Sequence, residues 1–103
     1  MFAEKTPGLI TQAIDAELEN AKHYGDKYHN MHEAWAVLHE EVGAVRKNFK
    51  SMKNLEKWLW KSITRNTKPD IRMMMELAEQ AAHLAMEACQ VAAVCRKMIE
   101  GAK

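Results

Sequence analysis

The sequence predicts an all-α protein: one helical domain over residues 1–103, built as a four-helix bundle that assembles with further copies of itself. Three observations predict it. Glycine and proline together number only six, and Ala, Glu, Lys, Leu and Met dominate, which favours helix over strand. Apolar residues recur at steps of three and four along most of the chain. The last predicted helix is apolar around most of its circumference, more than three neighbours in so short a chain can cover.

The elements follow in order. Thr6 before Pro7 reads as a helix start, a hydroxyl cap followed by a proline whose missing N–H costs nothing in the first turn. Leu9, Ile10, Ala13, Ile14 and Leu18 then repeat at helical spacing, and Gly25 reads as the stop. Asn30 and Glu33 have the spacing of a capping box and open a second helix, with Trp35, Leu38, Val42, Val45 and Phe49 on its apolar face. A third, shorter helix is expected from Ser51 to about Thr64. Pro69 and Asp70 open the fourth, which runs to about Glu100 before Gly101.

Composition narrows the function classes. No apolar run approaches the ~18 residues that a membrane span needs. The first residues carry no apolar core, so no secretory leader is expected there. Cys89 and Cys95 are six residues apart on one predicted helix, roughly 9 Å along its axis, too far to bridge. They read as reduced thiols, which points to the cytoplasm. A net charge of +1 is far from a nucleic-acid-binding footprint. The charge is unevenly spread, however. Residues 1–45 hold eight acids and three bases, whereas residues 46–68 hold eight bases and one acid, Glu56.

Two patterns point to chemistry. On the fourth helix Glu76, Gln80, His83, Glu87 and Gln90 fall within an arc of roughly 80°. That stripe is either a solvated strip or the wall of a polar groove. On the second helix Glu33 and Glu40 share a face and Glu41 lies about 100° round. Carboxylates from two neighbouring helices repel unless a cation joins them, and they suit Mg²⁺, which keeps waters and bridges to phosphates. On the third helix Lys50, Lys53, Lys57 and Lys61 form one ridge, which is either a solvated face or a phosphate-binding surface. No Glu-x-x-His pair of the di-iron bundles occurs, and there is no glycine-rich phosphate loop.

The segment His32–Gly43, HEAWAVLHEEVG, resembles the first metal-binding helix of the MazG-like all-α nucleotide pyrophosphohydrolases, especially small phage and prophage members. Its family motif is E-E-x-x-E. The segment Glu87–Val94, EACQVAAV, resembles their later E-x-x-D helix. The resemblance implies a helical dimer or dimer of dimers. It also implies Mg²⁺- or Mn²⁺-dependent cleavage of a nucleoside triphosphate to monophosphate and pyrophosphate. It places Glu40, Glu41 and Glu87 as metal ligands. Two positions depart from the motifs: Ala44 stands for the third glutamate and Gln90 for the aspartate. Around such a groove Glu33, His83, Gln90, Lys53, Lys57 and Lys61 are the substrate-binding candidates. Hydrolysis weakened or lost is one reading. A non-catalytic helical adaptor that engages a nucleotide or a protein partner is the alternative.

Overall fold

In a computed structural model the described residues are all but 66, 67, 69 and 103. They form three α-helices: α1 (Thr6–Ala21), α2 (Met31–Thr64) and α3 (Ile71–Ala102). No strand occurs among them.

Local sequence explains most helix ends. Asn30 is extended at φ −160° and its Oδ1 accepts the Glu33 N–H at 2.9 Å, the N-terminal half of the expected box. Asp70 does the same for α3, its Oδ1 accepting the Arg72 N–H at 2.9 Å. Pro69, expected beside it, lies outside the described residues. Thr6 is not a cap. Lys5 before it is already helical at φ −80°, so Thr6 enters the first turn and its N–H reaches Ala3 O at 3.1 Å. After Ala21 one 3₁₀ turn, Lys22–Tyr24, leads to Gly25 at φ 132°, a conformation that favours glycine, where the chain leaves the helix. At the other end α3 continues through Gly101 to Ala102 instead of stopping after Glu100.

The expected second and third helices are one. α2 runs 34 residues without a break, so the described chain has three long helices rather than four. Ser51, the expected start of a third helix, and Asn48 just before it are used elsewhere. Asn48 Nδ2 donates to Gln80 O of α3 at 2.6 Å, and Ser51 Oγ turns back to Lys47 O at 3.4 Å. Neither caps anything, and no glycine or proline interrupts the backbone there.

α3 is the middle element. α2 packs antiparallel along one side of it, with Asn48 against Gln80 fixing the register. α1 packs along another side, over the C-terminal half of α3 only. Asp15 pairs with Arg96, Lys22 with Glu100, and Lys97 Nζ donates to Ala21 O at 2.8 Å. Two regions result. In the base, α1 lies with residues 31–45 of α2 and 85–102 of α3. In the arm, residues 46–64 of α2 and 71–84 of α3 continue as a bare two-helix hairpin. The shape is long and thin, 57 × 32 × 21 Å.

The buried residues show the same division. Leu18, Ala34, Cys89, Ala93, Val94 and Lys97 are buried, all in the base. In the arm, Asn48 alone of the described residues is buried. Lys97 is 5% exposed, yet its charge is provided for: Nζ holds the last turn of α1 and lies 4.2 Å from the centre of the Tyr28 ring.

Candidate functional site

The α2–α3 register builds the site. Seven residues from Asn48 toward the start of α2 is Glu41. Seven residues from Gln80 toward the end of α3 is Glu87. Seven residues are close to two turns, so both return to the faces that meet at the Asn48–Gln80 bond. Glu41 and Glu87 therefore stand opposite each other across the helix pair. The Glu41 carboxyl is raised above the ordinary carboxylate range, first by burial and then by the charges of Glu40, Glu87 and Glu17. Glu17 comes from α1, so three helices each bring a carboxylate into one field.

Glu87 is half-buried, and its Oε1 is fully buried without a hydrogen-bond partner. His83 Nε2, one turn back on α3, lies 3.8 Å from that oxygen, too long for a hydrogen bond. A buried carboxylate oxygen without a donor is costly and calls for a cation or water.

Beside this pair, between α2 and α3, runs an open groove of about 580 Å³. Ala44, Lys47, Asn48 and Ser51 line it from α2, and Glu79, Gln80, His83 and Glu87 from α3. Three members of the polar stripe thus line the groove, with the His83 side chain still 61% exposed. Ala44 faces the same space as Glu87.

The other predicted residues are more dispersed. Glu40 is exposed on α2 and reaches Glu41 through its charge. Glu33 is half-buried at the start of α2, where its charge, after burial, raises the Tyr28 hydroxyl. Gln90 is half-buried on α3. Lys53, Lys57 and Lys61 lie on the outer side of α2, opposite the face that meets α3. Lys53 lines a separate cavity with Val45 and Phe49, and Lys61 Nζ sits 4.6 Å from the centre of the Trp58 ring. Among the described residues no three His, Cys, Asp or Glu side chains converge as a metal-holding group. The groove's basic residue is Lys47, which the sequence reading passed over because it lies off the lysine ridge. Glu17 was equally unmarked, since nothing in the period of α1 tells which neighbour it will meet.

Both thiols are free, Cys89 buried and Cys95 half-buried. No helix among the described residues is long and apolar enough to cross a membrane. No family model matches the chain, and neither a curated protein nor a solved structure does.

Proposed function

We propose that the α2–α3 groove binds a nucleoside triphosphate together with its Mg²⁺ or Mn²⁺ ion, in a homo-oligomeric cytoplasmic protein of MazG-like type whose hydrolysis is weakened or lost. The observation that carries this reading is Glu87 Oε1, buried without a hydrogen-bond partner and opposite Glu41. Two carboxylates are enough for a hard cation that takes its remaining ligands from water and phosphate, but not for a closed protein cage. Glu41 and Glu87 would hold the ion, with Glu40 at the margin. A bound cation screens phosphate charge and polarises the phosphorus toward water. The chain's own groups do the rest. Lys47 pairs with a phosphate oxygen, Ser51 and Gln80 offer hydrogen bonds, and His83 stands beside the buried Glu87 oxygen. About 580 Å³ is in the range of small-molecule sites. Ala44 leaves open the wall where a further carboxylate would tighten the ion, which favours binding over turnover.

The test is calorimetric titration of the protein with a non-hydrolysable nucleoside triphosphate, with and without Mg²⁺. Binding that requires both Mg²⁺ and Glu87 is the expected result. Ala44→Glu with Gln90→Asp should strengthen Mg²⁺ binding and raise pyrophosphate release. If the wild type binds no nucleotide and the double change alters neither quantity, the reading fails. The adaptor reading draws on a different observation: Trp35, Phe49 and Trp60 are exposed along α2, as a protein-binding surface would be.

A further inference from the structure

The polar groove opens on one side of the α2–α3 pair, and the opposite side is apolar. Counting 100° per residue from Gln80, α3 carries a seam on that side. It runs from Met74 through Ala78, Ala81, Ala85 and Ala88 to Ile99 at alternating steps of four and three, with no polar residue in it. Most of the seam is open in the single chain: Met74 is 40% exposed and Ile99 56%, Ala78, Ala81, Ala85 and Ala88 are exposed, and Ala92 and Cys95 are half-buried. α1 extends it, since Phe2, Pro7 and Ile10 enclose with Ala85 and Ala88 an apolar cavity of about 570 Å³. By the same count Val42, Val45, Phe49 and Trp60 of α2 border it on the other flank. One apolar face thus crosses all three helices.

The area says what covers it. A folded monomer of 11.8 kDa exposes about 5,900 Å² on average, and this chain exposes 8270 Å². The excess of roughly 2,400 Å² is what each partner of an obligate dimer hides. Charge says how the second copy lies. Residues 46–84 carry nine bases against four acids, net +5, while the rest of the chain carries six against ten, net −4. Parallel stacking would set arm on arm and place like charge against like. Antiparallel stacking sets each basic arm over an acidic base.

We infer that the chain forms a twofold dimer through this face, the two α3 seams running antiparallel so that the basic arm of each copy lies over the acidic base of the other. Small side chains along the seam let the two α3 backbones approach closely. This inference deepens the homo-oligomer proposed above and is independent of what the groove binds.

The test is light scattering on the full chain at micromolar concentration, followed by cross-linking. The wild type should have about twice the monomer mass. Ala85→Glu should give a monomer of unchanged circular dichroism per residue, because Ala85 is exposed in the single chain and stands at the open rim of the α1 cavity, outside the buried core. Centring the seam on the twofold sets position 78 opposite Cys95 of the partner subunit. Mild oxidation should therefore cross-link Ala78→Cys, and Cys95→Ser in that background should abolish the cross-link. Raising salt from 0.05 to 0.5 M should weaken the wild-type dimer several-fold. A monomeric wild type overturns the dimer, and a dimeric Ala85→Glu overturns the face. Should Ala85→Glu lose helicity, the cross-link decides the face instead. Spontaneous Cys95–Cys95 cross-linking, or a dimer strengthened by salt, overturns the antiparallel arrangement. Loss of nucleotide binding alone touches none of these outcomes.

Discussion

The base and the arm are made from the same two helices in the same antiparallel register, and they differ in one thing: α1 covers α3 in the base and stops short of the arm. That single added helix decides where burial occurs. With it, Leu18, Ala34, Cys89, Ala93 and Val94 leave water and even a lysine is accommodated inside. Without it, the hairpin keeps Trp58, Trp60, Ile71 and Met75 more than half exposed, although about half of its residues are apolar. Two helices offer each other one stripe apiece, whereas α1 gives α3 a second neighbour. Apolar composition alone therefore does not make a core here. The arm's apolar surface stays exposed in the single chain, and the base holds nearly all of its buried side chains.

The largest expected effect lies in the base. Lys97→Ala removes a hydrogen bond from a charged group to Ala21 O, a cation–π contact with Tyr28 and the packing of the stem, together about 2–4 kcal/mol. Lys57→Ala in the arm, where the side chain is exposed, should change stability by less than ~0.5 kcal/mol. Denaturant unfolding at one fixed protein concentration compares them. Equal losses would break the distinction between the two regions.

A smaller effect sharpens it. Asn48 is the arm's buried link, and Asn48→Ala should cost about 1 kcal/mol, since the Gln80 carbonyl keeps its place in the helix ladder. The loss should be local. Amide exchange should quicken in residues 46–64 and 71–84 and stay unchanged around Ala93 and Val94. Acceleration spread evenly over both regions would mean that arm and base open as one unit.

How much of this was legible in the sequence depended on the range of the interaction. Asn30 was readable as a cap because its partner is three residues away. The position of Asp70 was readable for the same reason. The continuity of α2 was not, because Ser51 reads as a helix start and nothing local shows which partners it and Asn48 take. One of those partners is on another helix, 32 residues distant. The site divides in the same way. Helical period put Gln80, His83 and Glu87 on one stripe, and the structure turns that stripe toward α2. Which α2 residues it meets is a matter of register, set by tertiary packing. That brought in Lys47 and left Lys53, Lys57 and Lys61 on the outside. Glu17 required knowing that α1 crosses α3 at all.

The smallest expected effect sits at the seam between the regions. Burial and three neighbouring carboxylates hold Glu41 above the ordinary 4.5 of a glutamate. At lower pH the group is protonated in both the folded and the unfolded chain and contributes nothing. As pH rises from 4.5 the unfolded chain releases its proton first, so the native state is penalised. The penalty is complete once pH has passed the raised value of the folded chain. Stability should therefore fall slightly as pH climbs through that window, and Glu41→Gln should remove the fall, leaving a variant that is a little more stable than the wild type at pH 7 and indistinguishable below 4.5. Thermal unfolding across pH reads this directly. Mg²⁺ adds the decisive contrast. A cation shared by Glu41 and Glu87 would relieve the repulsion, so millimolar Mg²⁺ should raise the melting temperature of the wild type at pH 7 and leave Glu41→Gln nearly unmoved. If both respond alike, the raised carboxyl is only a cost of packing three acidic helices together, and the ion binds elsewhere.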